Sequence, residues 1–197
     1  QYALLNGDKY TGLSTFVIND NIDTGDIIFQ KKIKMNDEMD FYDLYNLLCD
    51  CSGEVLDKTI YSIINKKKMV SQDSSIISKA PKIKKKDFMI NWNNSASNIH
   101  NKIRGLSYLG AYSFYKNKRI KFFKSYFINS QLNEVNLDKI GGFLFSENKL
   151  YIKAKTGYVI VYEIQIEGKK RTQINSMTNY DYFKNEKEGD IFRNEVS

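Results

Sequence analysis

Histidine is almost missing from this chain: His100 is the only one. The only cysteines are Cys49 and Cys51, so a full set of Cys and His ligands for a structural zinc is nearly excluded. Those two stand as C-x-C on a segment with helical spacing. Residues two apart on a helix face different sides, so neither a local disulfide nor a shared metal site is expected, and no metal is assigned. A reducing compartment fits, and the cytoplasm is the expected location. No apolar stretch approaches bilayer-spanning length and no charged-then-apolar leader opens the chain, which argues against a membrane role. Proline occurs once, at Pro81, and arginine is scarce beside 26 lysines.

What is present points to a folded chain. Apolar residues make up 42% of the 197 positions, with 14 Tyr and 12 Phe, enough for a packed core and a poor match to disorder. Charge is split unevenly. Residues 1–78 carry 8 Lys against 12 Asp and Glu, a balance of −4, whereas residues 79–197 carry 22 Lys and Arg against 11 Asp and Glu, a balance of +11. Such asymmetry suggests that the second half meets a polyanion. The excess of Lys over Arg, with abundant Asn, Ile and Tyr, is also what an AT-rich genome yields without selection for nucleic acid.

Residues 11–18 are β-branched and aromatic, as a strand should be, and a second extended run covers Asp26 to Ile33. The two read as antiparallel strands around the polar turn Asn19-Asp20-Asn21. Asp37 is a candidate cap for an amphipathic helix over roughly Asp40–Asn65, with Leu44, Leu48, Cys51 and Val55 at helical spacing, extended by Leu47, Leu56, Ile60 and Ile63. No βαβ units precede this helix, so something upstream is expected to complete the sheet. Pro81 and the lysines around it mark residues 71–90 as a basic linker. A short helix is expected over Ser95–Leu106, with Ala96, Ile99, Ile103 and Leu106 on one face. Turn signals at Lys116-Asn117-Lys118, Gly141-Gly142, Glu147-Asn148 and Thr156-Gly157 then separate short strands. One of these places Tyr158, Ile160, Tyr162, Ile164 and Ile166 in period-two alternation, a half-buried strand. The expected fold is an α/β remnant in residues 1–70, the end of a Rossmann-like domain. The linker 71–90 and an OB-like β-barrel in 91–197 follow.

One group of residues is specific: Asn6-Gly7-Asp8, then Thr11-Gly12, then Ile22-Asp23-Thr24-Gly25-Asp26. By residue chemistry alone, Asp23 is a carboxylate in a tight loop, and a turn-stabilising role suits it as well as a catalytic one. The arrangement resembles the folate-dependent formyltransferase family, in which N-G-D-x-x-T-G is followed by a strand and then D-T-G or D-G-G. The resemblance implies that Asp23 is one of three catalytic residues, tuning a histidine while an amine attacks the formyl carbon of 10-formyltetrahydrofolate. It implies that Asn19, Asp20, Asn21, Ile22 and Thr24 border the pterin of that donor. The family's catalytic Asn and His lie ahead of N-G-D. The chain begins at Gln1, after them, and is expected to be truncated and inactive alone. His100 is not their replacement. It is expected to sit as a polar group on the surface or to pack a helix.

Ala80-Pro81-Lys82-Ile83, Ile90-Asn91-Trp92, Ile99-His100-Asn101, Ile103-Arg104-Gly105-Leu106 and Gly110-Ala111-Tyr112 are similar to the linker and second domain of the methionyl-tRNA formyltransferases. Ile164 to Arg171 looks like the ending of the same enzymes. The sequence departs from that pattern at Leu109, where proline is usual, at Gly105, where alanine is common, and at Thr172, where methionine is frequent. Residues 173–197 carry no further likeness. The resemblance implies a monomeric enzyme that formylates the methionyl group of initiator tRNA. Lys82, Lys84, Lys85, Lys86, Lys169, Lys170 and Arg171 are its candidate phosphate contacts, against the plain alternative of a solvated surface. A sugar-nucleotide N-formyltransferase, a formyltetrahydrofolate hydrolase-type protein and a non-catalytic RNA-binding remnant are the competing readings.

Overall fold

A computed structural model describes residues 1–130, 137–183 and 190–193. The chain divides into two compact units, residues 8–36 with 42–82, and residues 1–7 with 37–41 and 83–197.

In the first of these, β1 (Tyr10–Phe16) and β2 (Ile27–Lys34) form the expected antiparallel hairpin, with Tyr10 opposite Lys34 and Ser14 opposite Gln30. Helix α2 runs from Phe41 to Ile64, within a residue of the predicted span at each end. Asp37 is not its cap: it stands ahead of Phe41, and Asp43 is the acid of the first turn. The buried stripe of α2 is Leu44, Val55, Thr59 and Ser62, with Thr59 Oγ1 2.8 Å from Thr15 Oγ1 of β1. Lys31 of β2 pairs with Glu54. Leu56, Ile60 and Ile63, assigned to the buried face by periodicity, are instead 58%, 47% and 51% exposed. Helical spacing identifies an apolar stripe but not which neighbour covers it, and two polar threonine and serine side chains line the covered side here. Both satisfy their hydroxyls on the backbone one turn back, Thr59 at Val55 O and Ser62 at Lys58 O.

The other unit is built around a sheet with strand order β3-β4-β7-β6-β5: β3 Ala111–Tyr115, β4 Lys118–Ile128, β5 Phe143–Ser146, β6 Lys149–Lys153 and β7 Tyr158–Ile166. A short β8 (Thr172–Gln173) pairs with β7 at Glu163 and Ile164, on the edge that β6 leaves after Val161. The pairings between these strands are antiparallel. The turn signals fall where expected: Lys116-Asn117 and Glu147-Asn148 are two-residue hairpin loops with φ of 48° and 58°, and 50° and 59°. Both residues of each loop are left-handed, the geometry whose twist matches the flanking strands.

Alternation along β7 does not keep one phase. The core takes Val159 and Val161, then Ile164 and Ile166. Register shifts around Lys124, opposite Glu163, insert an extra residue and exchange the faces. Tyr158 and Ile160 are buried too, on the other side of the sheet, so the first half of β7 is covered on both faces rather than half-buried. Pairing between β3 and β5, which a closed barrel requires, is not present among the described residues; the sheet is an open path.

Helix α3 (Ala96–Gly105) closes one face of this sheet. Ser95 caps it by accepting from Asn98 N at 3.2 Å, and Ala96, Ile99, Ile103 and Leu106 are all buried as predicted, the Ile and Leu side chains each contributing about 1.5–3 kcal/mol where fully removed from water. Trp92 lies beneath it, its indole N–H donating to Ser113 Oγ at 3.0 Å. The short α4 (Met177–Phe183) and residues 190–193 complete the core. Phe183 and Phe192 are fully buried in a ring cluster with Trp92, Tyr115, Phe122 and Phe143. Residues 184–189 and 194–197 of the unmatched C-terminal stretch lie outside the described residues.

The N-G-D motif meets the His-Asn motif of α3 directly. Helix α1 (Tyr2–Asn6) ends at Gly7 with φ 70°, and a Cβ there would stand 2.5 Å from Asn101 Nδ2. At Gly105 a Cβ would reach Leu5 at 3.2 Å and Leu4 at 3.3 Å. Glycine where alanine is common thus lets α1 sit close against α3.

His100 is 1% exposed, a packing residue rather than a surface one. Its Nε2 lies 2.7 Å from the carbonyl of Asp37, which only accepts, so Nε2 carries the proton and Nδ1 accepts from Ser125 Oγ at 3.0 Å. Beside it Arg104 Nε donates to Asn101 Oδ1 at 2.9 Å and Nη1 to Met39 O at 3.4 Å, with Asp37 Oδ1 at 4.0 Å from Nη2. Segment 37–41 is thereby bonded to α3. Burial, more than the neighbouring Arg104, pushes the His100 imidazole below its ordinary 6.5, although the Asp37 carbonyl and carboxylate pull it back. The unfolded chain therefore binds this proton more readily than the folded one, and stability falls as pH drops below about 6.5 toward the depressed folded value. Urea midpoints measured between pH 7.5 and 5 should show this slope, and His100→Gln should flatten it.

Candidate functional site

The loop between β1 and β2 is braced by its own side chains. Asn19 Oδ1 accepts from Asn21 N at 3.1 Å and from Thr24 Oγ1 at 2.9 Å, a side-chain brace of the kind asparagine supplies in tight turns. Val17 N donates to Asp26 O at 3.0 Å, closing the loop's base. Gly25 is buried there, and a Cβ would stand 1.6 Å from Val17 O, so the D-T-G glycine is demanded by backbone contact. Asp23 occupies the corner with φ 54°, a left-handed conformation that asparagine and aspartate tolerate better than other side chains. Its side chain is exposed, as are those of Asn19, Asp20, Asn21 and Thr24, and Ile22 is 90% exposed. The structure thus brings the predicted loop residues together on one solvent-facing turn. A shallow depression of about 270 Å3 lies on the same hairpin, lined by Tyr10, Thr11, Gly12, Ser14, Gln30, Lys31 and Lys32. None of the Asp23-loop residues lines it, and its solvent-open strand surface carries no carboxylate.

The predicted basic residues divide by environment. Lys82, Lys84, Lys85 and Lys86 are exposed. The last two open a 3-10 turn, Lys85–Phe88, anchored by buried Phe88 and by Asp87, whose carboxylate accepts from Lys84 N at 2.7 Å. Lys169 and Lys170 are exposed beyond the turn at Gly168, where φ is 76°. Arg171 is exposed too, at 41%, but it is bonded: Nε and Nη2 donate to the two carboxylate oxygens of Glu163 at 2.9 and 2.7 Å, and its guanidinium lies 4.0 Å from the centre of the Phe123 ring. It fastens the returning chain to β7, a role that its place in a basic run does not reveal.

No group of three or more metal-binding side chains occurs among the described residues, and no described helix is long and apolar enough to cross a membrane.

Two family signatures match this chain, "Formyl transferase, C-terminal domain" over residues 82–181 and "Formyl transferase" over residues 1–60. The chain belongs to the formyl transferase family. Its mixed α/β content and C-terminal domain are those of the formyl transferase fold. The chain is 37% identical over 175 residues to the methionyl-tRNA formyltransferase of Thermodesulfovibrio yellowstonii, an alignment covering 86% of this chain and 54% of that one. It therefore spans about half the length of that curated relative. Among solved structures, HypX from Aquifex aeolicus superposes with a TM-score of 0.64 at 15% identity, covering 94% of this chain and 33% of that one. The N-formyltransferase from Helicobacter canadensis, solved with folinic acid and dTDP-3-aminofucose, superposes at 0.59 with 24% identity, covering 81% and 57%. Both likenesses establish the formyl transferase fold alone.

Sequence reasoning missed the roles of two residues of this formyl transferase chain, one at the Asp23 loop and one in the other unit. Gln72, read as linker, bonds to the Asp23 loop. Asn101, read as part of a helix motif, crowds the place a side chain at Gly7 would take, beside the strain that φ 70° already imposes there. Neither has a local signal, because each acts on residues far away in the chain.

Proposed function

We propose that this chain supplies the closing part of the formyl-transfer domain and the C-terminal domain of a methionyl-tRNA formyltransferase. The observation that carries the reading is Asp23, an exposed carboxylate on a braced left-handed corner in a chain 37% identical to such an enzyme. The complete reaction moves a formyl group from 10-formyltetrahydrofolate to the amino group of methionyl-initiator tRNA. The donor supplies the activated formyl carbon. Asp23 accepts a hydrogen bond from the imidazole of a catalytic histidine contributed by the rest of the domain, fixing its tautomer and stabilising its protonated form beside the developing oxyanion. Asn19, Asp20, Asn21, Ile22 and Thr24 form the edge against the pterin. Ile22 offers apolar surface and the Asn and Asp side chains offer polar groups.

The same reading accounts for the exposed apolar side of α2, which the preceding Rossmann-like portion would cover. It keeps the division into 1–70, linker 71–90 and 91–197, in a monomeric cytoplasmic enzyme. The sheet β3–β8 is read as OB-like, supported by residues 190–193, which bond to the β3 edge at Phe114 and to Gly141 beside β5.

Lys82, Lys84, Lys85, Lys86, Lys169 and Lys170 are the proposed phosphate contacts, and Arg171 serves them by holding its turn. Alanine at each true contact should lower the slope of log affinity against log salt by about 0.7–0.9. Arg171→Ala should change that slope less while lowering the melting temperature. Filter binding of initiator tRNA between low and moderate salt measures both.

The reading is tested by formyl transfer to methionyl-initiator tRNA, with this chain alone and with the N-terminal half of a formyl-transfer domain added. Transfer is expected only in the second case. Salt-sensitive RNA binding with no transfer in either case would favour a non-catalytic RNA-binding protein. The Helicobacter superposition makes a sugar-nucleotide acceptor the alternative, and transfer to a dTDP-amino sugar but not to tRNA would establish it.

A further inference from the structure

Gln72 lies in the stretch between α2 and Pro81, where Val70 and Ile27 exchange backbone bonds of 2.8 and 3.0 Å. In an antiparallel pair, two steps forward on one strand stand opposite two steps back on the other. Residue 72 therefore arrives beside residue 25. Its side chain turns into the Asp23 loop, Nε2 donating to the carbonyl of Gly25 at 2.7 Å and to that of Asp23 at 3.0 Å. Two carbonyl oxygens face this amide, so its NH2 end and not its oxygen must point at them.

Those two bonds act where the loop has least support of its own. Asn19 secures the loop's entrance, Val17 its base. Asp23 meanwhile holds φ 54°, a conformation that persists only when its surroundings impose it. Fixing the Asp23 carbonyl fixes the peptide that follows this residue and hence ψ at Asp23, while fixing the Gly25 carbonyl ties down the far side of the corner. Together they set the direction of the Asp23 Cα–Cβ bond.

We infer that Gln72 is the positioning residue for Asp23, acting through the loop backbone; the inference rests on the reading of Asp23 as the catalytic carboxylate. Its chemistry makes a sharp test. Glutamate has the same shape but no donor, and its charge would face two carbonyl oxygens. In Gln72→Glu, backbone amides of the Asp23 loop should exchange with solvent faster in this chain, with the melting temperature unchanged. In the transfer assay with the N-terminal half added, kcat should fall about tenfold or more while KM for the tRNA holds, as expected when a reacting group is misaimed rather than removed. Gln72→Ala, which only deletes the donors, should act in the same direction, and it carries the test if the glutamate variant melts early. Unchanged exchange, or faster exchange with undiminished kcat, would overturn the inference. If the unsubstituted chain with its added half transfers no formyl group, the formyl-transfer reading fails. The exchange measurement then decides by itself whether Gln72 braces the loop.

Discussion

Under the proposed function, and with the N-terminal half of the domain added, Asp23→Asn is expected to lower kcat for formyl transfer by about 10²–10⁴-fold, the usual contribution of a positioned acid–base group. The substitution leaves almost everything else in place. Asparagine has the same shape and is the other non-glycine residue at ease with the left-handed backbone that Asp23 adopts at φ 54°. The side chain is exposed, so no packing is lost. Only the negative charge is lost and one acceptor oxygen becomes a donor, which removes the group that would hold a histidine in its useful protonation state. Melting curves of the two proteins should coincide, and tRNA affinity should stay constant. Asp23→Ala should be as inactive and should also loosen the loop, because alanine in a left-handed conformation costs about 1–2 kcal/mol. Wild-type kcat in the asparagine variant would remove Asp23 from the mechanism and leave it as a turn residue, the alternative its local sequence permits.

Phe192→Ala should destabilise the C-terminal unit by about 3–5 kcal/mol, a large share of the stability of a domain this size. The residue lies beyond the stretch matched by the family signature, which ends at 181, and comes from a segment with no recognised pattern. Its ring nevertheless sits at the centre of the core, with centroids 5.0 Å from Phe143, 5.4 Å from Phe122, 5.6 Å from Tyr115 and 5.8 Å from Trp92. Its backbone N–H donates to Gly141 O at 2.9 Å, and next to it Arg193 and Phe114 exchange bonds of 2.8 and 2.9 Å. Gly141, with φ 80°, has room for no side chain here, since a Cβ would stand 2.6 Å from Phe192 O. The segment thus holds both flanks of an otherwise open sheet. Urea unfolding measures the loss, and a cost below about 1 kcal/mol would show that the core closes without it. Phe183→Ala offers an independent check on the same cluster.

The elements most legible in sequence were those whose causes are local. The apolar spacing from Ala96 to Leu106 announced α3 because it matches one helical face, and the cap at Ser95 lies within a turn of it. Asn117 and Asn148 marked hairpins because left-handed residues are needed there. Errors arose where a distant partner decided the outcome. The register shift opposite Lys124 exchanges the faces of β7 partway along, which no reading of alternation within β7 detects. Asp37 had the chemistry of a helix cap, but its carbonyl serves His100. Leu56, Ile60 and Ile63 looked like core because apolar spacing is silent about what lies opposite.

By itself, the sequence determined the local conformations, through capping groups, turn residues and apolar period, and it determined the family, through a run of motifs too specific to arise from composition. Only the tertiary structure decided which side chains remain available for chemistry. Arg171, itself 41% exposed, is held by Glu163 and Phe123, and Lys82, Lys84, Lys85 and Lys86 are exposed as well. The Asp23 corner is held by a glutamine 49 positions later in the chain. The reason is that a hydrogen bond or an ion pair is satisfied by proximity in space, and proximity between remote segments is created by packing rather than by neighbouring residues.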